Sequence, residues 1–181
     1  MVLLICSVQV LAQIGLFAVP ALLPTFMQVW FLSNTEAGWI TGVFYLSYMG
    51  SVPILVSLTD RIDPKRIYLF GVGMIALAGF GYAWLAEGFW SGLFFRALWG
   101  IGWAGSYMPG LKALSDLAEG PQQSRAVAAH AASIGVSSAL SFFIAGTVAD
   151  VFGWRAAMAV GGGGAIAAFL LMATLFPRSS F

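Results

Sequence analysis

Between Ala37 and Ala86 the chain holds two long uncharged runs, 37–59 and 67–86, separated by Asp60-Arg61-Ile62-Asp63-Pro64-Lys65-Arg66. Each run is long enough to cross a bilayer as a helix, which takes about 20 apolar residues. The segment between them carries five of the chain's fifteen acidic and basic residues in seven positions. It can only be a short loop at one membrane surface. Once that loop is placed at a surface, the rest of the chain must alternate between spans and turns. The composition agrees: 60% of residues are hydrophobic and 8% charged, against about 25% charged in soluble domains. A β-barrel is excluded, because the uncharged runs are too long and lack period-two alternation.

The same alternation reads as an all-α membrane protein of six transmembrane helices in one bundle spanning 1–181. The helices are expected near 3–30, 36–58, 66–85, 89–113, 124–149 and 154–176. The first contains Pro20 and Pro24, which membrane helices tolerate because neighbours re-satisfy the freed carbonyl groups. Ser33, Asn34 and Thr35 supply caps for the second helix, and Glu36 suits its positive end. Lys112 to Arg125 is the longest polar connection. The chain begins apolar with no polar lead, so its start is expected to be trimmed or mis-assigned. No basic region precedes that run, and it is too long for a signal peptide.

Six helices put both termini on one side. The loops between helices 2 and 3 and between 4 and 5, with the C-terminal tail, hold Arg61, Lys65, Arg66, Lys112, Arg125 and Arg178, whereas the opposite loops hold only Arg155. Basic residues favour the cytoplasmic side, so both termini are expected there. Trp30, Trp39, Trp90 and Trp154 fall at the opposite ends, as an aromatic belt would.

Several function classes drop out. The net charge of +1 provides no basic patch for nucleic acid. One cysteine, Cys6, excludes a disulfide framework. No metal cluster, catalytic triad or nucleotide loop is present. Gly161–Gly164 lacks the Lys-Ser/Thr of a phosphate loop and reads as close helix packing. The chain is expected to be neither an enzyme nor a holder of a cofactor or metal.

The residues that stand out are polar groups at membrane depth. Gln9 and Gln13 share a face one turn apart, either as a polar stripe along a solvated path or as two interhelical hydrogen bonds. Arg96 is the sharpest. A charge toward the bilayer interior costs at least ~2.5 kcal/mol and marks function by default, although near a helix end it can also snorkel to the surface. Arg96, Gly100, Trp103 and Tyr107 share one helical face at i, i+4, i+7 and i+11. His130, the single histidine, has a side chain able to carry a proton at physiological pH. The competing reading is an ordinary hydrogen-bonded histidine near the interface.

Three motifs resemble the major facilitator superfamily. Asp60-Arg61 followed by Lys65-Arg66 is similar to the family's loop between helices 2 and 3. Val56 stands where the family has Gly, and Asp63-Pro64 stands where Gly precedes the basic pair. Arg96-x-x-x-Gly100-x-Gly102-x-Ala104-Gly105 resembles its fourth helix, and Asp150-x-x-Gly153-Trp154-Arg155 its turn between helices 5 and 6. The resemblance covers the whole chain and implies the N-terminal six-helix half of a transporter. It further implies secondary active transport of a small solute by rocking of two bundles, coupled to protons or another ion. Helices 1 and 4 would line the path, and Asp60, Arg61, Lys65 and Arg66 would form a gating loop. Arg96 would face the cavity with Gln9, Gln13, Gly100, Trp103 and Tyr107, and His130 is the candidate proton carrier in this half. Expected partners are a small-molecule substrate, anionic or amphiphilic, the lipid bilayer, and either a C-terminal half or a second copy. The short loops suggest a bacterial inner membrane. The alternative is a non-transporting membrane scaffold derived from the same bundle.

Overall fold

In a computed structural model, which describes residues 2–117 and 120–175, all regular structure is helical. The elements are α1 (Val2–Ala12), α2 (Ala18–Ala21), α3 (Leu23–Val29), α4 (Asn34–Leu58), α5 (Pro64–Leu85), α6 (Phe89–Leu117), α7 (Pro121–Phe152) and α8 (Trp154–Leu175). Four of them, α4, α5, α7 and α8, are long and apolar enough to cross a membrane, and α6 is 29 residues long.

The stretch 3–30, read from sequence as one helix, is three segments, α1 to α3. The chain tightens at residues 13–17, where Gln13 N–H reaches the Val10 carbonyl at 3.2 Å and Leu16 N–H the Gln13 carbonyl at 2.9 Å. Pro20 and Pro24 explain the interruption: neither has an N–H to continue the ladder, and their rings exclude the carbonyl four residues back. Pro24 instead opens α3 near its first position, where the missing donor costs nothing.

The other helix starts are set by their caps. Ser33 and Glu36 form a reciprocal pair, Ser33 N–H donating to Glu36 Oε2 at 2.8 Å and Glu36 N–H to Ser33 Oγ at 3.3 Å, so α4 begins at Asn34. Asp63 accepts from the Lys65 N–H at 2.9 Å, with Pro64 as the first residue of α5. The Asp-Pro pair that departs from the family pattern is thus an N-cap followed by the proline that best suits the next position.

The helices pack around α6 and α8. Both α4 and α5 lean mainly on α6, α5 also packs along α8, and α1 lies against α7 and α8. Glycine makes the closest approaches possible. A Cβ on Gly15 would stand 2.6 Å from the Gly161 Cα, and one on Gly79 would stand 2.8 Å from the Gly162 Cα. The Gly161–Gly164 run is therefore a packing surface with two faces: Gly161 and Gly164 meet the first segment, Gly162 meets α5, and Gly163 meets nothing within 4 Å. Such contacts are how helices associate in lipid, where apolar surface alone gives no preference for protein over tails.

Candidate functional site

Arg96, Gly100, Trp103 and Tyr107 are brought together, on the side of α6 that faces α4. Phe44 is the common partner of the first three. The Arg96 guanidinium lies 4.2 Å from the centroid of the Phe44 ring, and Trp103 stacks on the same ring at 5.4 Å. Tyr48 contacts Trp103 at 4.5 Å, and Tyr107 follows at 5.7 Å. Gly100 is where α4 comes closest; a side chain there would collide with Ser47 and the Phe44 carbonyl. The row ends on His130, whose ring stacks on Tyr107 at 4.7 Å. Arg96 and Phe44 are buried, while Trp103 and Tyr107 are half-buried.

Arg96 is 1% exposed, enclosed within the bundle. Its Nη1 donates to the Leu16 carbonyl at 3.1 Å. That carbonyl belongs to the interrupted turn of the first segment, and its usual donor, the amide four residues on, is missing because residue 20 is proline. Pro20 frees an acceptor and Arg96 takes it. A guanidinium is suited to this, since it stays charged, stacks on aromatic faces and donates in several directions. No carboxylate pairs with it among the described residues.

Gln9 in α1 and Gln13 just past its end are both fully buried. Tyr68 OH donates to Gln9 Oε1 at 3.1 Å, and Ser137 Oγ lies 2.9 Å from Gln13 Oε1. One turn further, Ser141 Oγ accepts the Phe17 N–H at 3.0 Å. His130, Ser133, Ser137 and Ser141 lie at helical spacing on α7 and are all buried. They make a polar seam along an otherwise apolar bundle. His130 Nε2–H donates to the Tyr107 carbonyl at 3.2 Å, and its Nδ1 has no partner among the described residues. Of the two readings of Gln9 and Gln13, the hydrogen bonds across the bundle are present.

At the basic end, the four loop residues separate. Asp60 Oδ1 pairs with Lys112 Nζ at 3.0 Å, and the same amine donates to Thr59 Oγ1 at 3.1 Å. Lys65 is buried and turns away, donating to the Ala173 carbonyl of α8 at 3.2 Å. Arg61 and Arg66 are exposed. Sequence reasoning counted Lys112 only as a basic loop residue and missed its pairing, which no local spacing reveals. It also missed the serine stripe of α7, although Ser133, Ser137 and Ser141 at i, i+4 and i+8 carry a visible period.

A family model described as Major Facilitator Superfamily matches residues 5–181. The chain belongs to the major facilitator superfamily. Among curated proteins it is similar to Protein spinster homolog 1 of Homo sapiens, 29% identical over 170 residues covering 93% of this chain and 32% of that protein. Protein spinster homolog 3 of Danio rerio is 29% identical over 180 residues, 96% of this chain and 35% of that protein. The Probable sphingolipid transporter spinster homolog 2 of Arabidopsis thaliana is 30% identical over 126 residues, 70% and 26% respectively. The chain thus spans roughly a third of the length of the two animal relatives. As an N-terminal half of this superfamily it is an integral, multi-pass membrane protein.

Proposed function

We propose that the chain is the first bundle of a secondary active transporter that moves a small solute by alternating access. In this reading α1, α2 and α3 together make one membrane crossing and α4 to α8 one each, with both termini cytoplasmic; the bias of Lys and Arg among the loops supports that orientation. The path forms against a second bundle, either a C-terminal half or another copy, and an ion or proton gradient drives it, with His130 as the carrier in this half. The short loops favour a bacterial plasma membrane.

The observation that carries the proposal is Arg96, a buried cation with no carboxylate beside it among the described residues, at the head of a row of half-buried aromatics. A charge held at that cost is functional by default. The substrate best matched to it is a small amphiphile with an anionic group, its apolar part against Trp103 and Tyr107. The printed name of the Arabidopsis relative, a probable sphingolipid transporter, is in keeping with an amphiphile. Asp60 and Lys112 would act as a latch at the cytoplasmic mouth.

The test begins with the oligomeric mass of the chain in detergent. A dimer is reconstituted alone, and a monomer with a C-terminal bundle. Flux of a fluorescent anionic amphiphile is then compared with that of a neutral analogue under an imposed proton gradient. Arg96→Gln is expected to slow the anion at least tenfold and the neutral analogue little. Equal loss for both would refute the substrate reading, and absence of flux under every gradient would favour the scaffold.

A further inference from the structure

Although α4 and α5 are joined by the short connection 59–63, each packs mainly on α6. Between them lies a cleft of about 400 Å³ lined by Leu55, Leu58, Ile62, Arg66, Ile67 and Phe70. Its floor is a small satellite core, in which Leu55 and Ile67 close over Ala104 of α6. Outward from it the bundle surface is apolar, with Ile54, Phe70 and Leu77 exposed. Among the described residues, Arg66 is the one charged residue lining the cleft. It is exposed, and its guanidinium has no hydrogen bond or ion pair among the described residues.

Three charges around it are already engaged, and Arg61, also exposed, is not among the residues that line the cleft. Asp60 is paired with Lys112 at 3.0 Å, Asp63 caps the Lys65 amide at 2.9 Å, and the Lys65 amine reaches α8. What remains at the cleft is a guanidinium at the polar edge of an apolar slot. Such a slot has two requirements of a ligand: a phosphate-like anion at the rim, which a guanidinium can hold by two hydrogen bonds, and a hydrocarbon chain below. No acid among the described residues lines the cleft to hold a choline or ammonium group. We infer that the cleft between α4 and α5 binds an anionic phospholipid, with its phosphate on Arg66 and an acyl chain against Leu58, Ile62 and Phe70. The site is separate from the Arg96 row and does not depend on what the protein transports.

The test is native mass spectrometry of the full chain in mild detergent doped with phosphatidylglycerol or phosphatidylcholine. About fivefold more phosphatidylglycerol than phosphatidylcholine should be retained, the difference that one cation near an anionic headgroup supplies. Arg66→Gln should bring the two lipids level, and Arg66→Lys should keep most of the preference. Arg125→Gln removes the same charge from an exposed position elsewhere and should leave it intact. Leu58→Trp fills the slot while keeping Arg66, and should also abolish retention. Equal retention of the two lipids by the unaltered chain overturns the inference. So does an Arg125→Gln loss matching that of Arg66→Gln, or unchanged phosphatidylglycerol binding in Leu58→Trp. Displacement of the bound lipid by an added second bundle would reassign the cleft as an interface between bundles.

Discussion

Lys65 and Arg155 hold the same place on two antiparallel helices. Each is the second residue of a 22-residue helix, Lys65 in α5 and Arg155 in α8. Lys65 Nζ donates to the Ala173 carbonyl at 3.2 Å, and Arg155 Nη1 donates to the Ala83 carbonyl at 2.8 Å. Each acceptor lies two residues short of the other helix's end. The last carbonyls of a helix have no intrahelical donor and carry the negative end of its dipole, so each cation satisfies both needs of its neighbour.

If these contacts act as paired end-caps, Lys65→Ala and Arg155→Ala should each destabilise the fold by about 1–2 kcal/mol. The sites are about 30 Å apart along the pair, so the double variant should equal the sum of the two within about 0.5 kcal/mol. Thermal unfolding in detergent would measure this. A double variant no worse than either single would show that the two ends do not act independently.

The glycines divide into those in contact and those in open space. Gly15→Ala and Gly79→Ala place a methyl group within 2.8 Å of backbone atoms in α8 and should each cost about 1–3 kcal/mol. Gly73→Ala and Gly163→Ala, with nothing within 4 Å, should be neutral or slightly stabilising. Melting temperatures of the four variants, prepared in the same detergent, decide the matter.

Pro20 and Arg96 should prove energetically coupled. Arg96→Gln leaves the Leu16 carbonyl buried without its donor, while Pro20→Ala returns an N–H four residues on. The loss from Arg96→Gln should therefore shrink by about 0.5–2 kcal/mol in the Pro20→Ala background. A double-mutant cycle on unfolding free energies reads this coupling. Strict additivity would mean that the proline is not the reason the arginine is there.

The Asp60–Lys112 pair is exposed, 74% on the Asp side chain and 39% on the Lys. Exposed pairs contribute about 0–1 kcal/mol, so Asp60→Asn and Lys112→Gln should hardly change the melting temperature. If the pair is a latch, each should still lower transport several-fold, and the charge exchange Asp60→Lys with Lys112→Asp should recover part of it. Flux in reconstituted vesicles, measured with stability on the same samples, separates latch from ornament.

What could be read from the residues was what local chemistry dictates. Asp60-Arg61 and the following basic pair announced a loop. The i, i+4, i+7, i+11 face of Arg96 announced a row that does meet one neighbour, and the glycine run announced tight packing. Pro20 and Pro24 were visible inside the first span, but the break was not legible: the ladder gives way at residues 13–17, upstream of Pro20, because a proline's effect falls on the carbonyl behind it. Partners far along the chain were equally hidden. Lys65 read as part of a gating loop, yet its amine reaches Ala173, 108 residues away, and nothing in its own sequence neighbourhood distinguishes it from Arg66.

The interrupted turn at residues 13–17 also has a consequence for assembly. Two of its backbone groups are served from outside: the Leu16 carbonyl by Arg96, 80 residues later, and the Phe17 amide by Ser141, 124 residues later. During synthesis the first segment leaves the ribosome long before either partner exists. It must enter the membrane with those groups still dependent on water, translocon or its own ladder. A segment made before α6 and α7 is therefore finished only after them, and its final shape records their arrival.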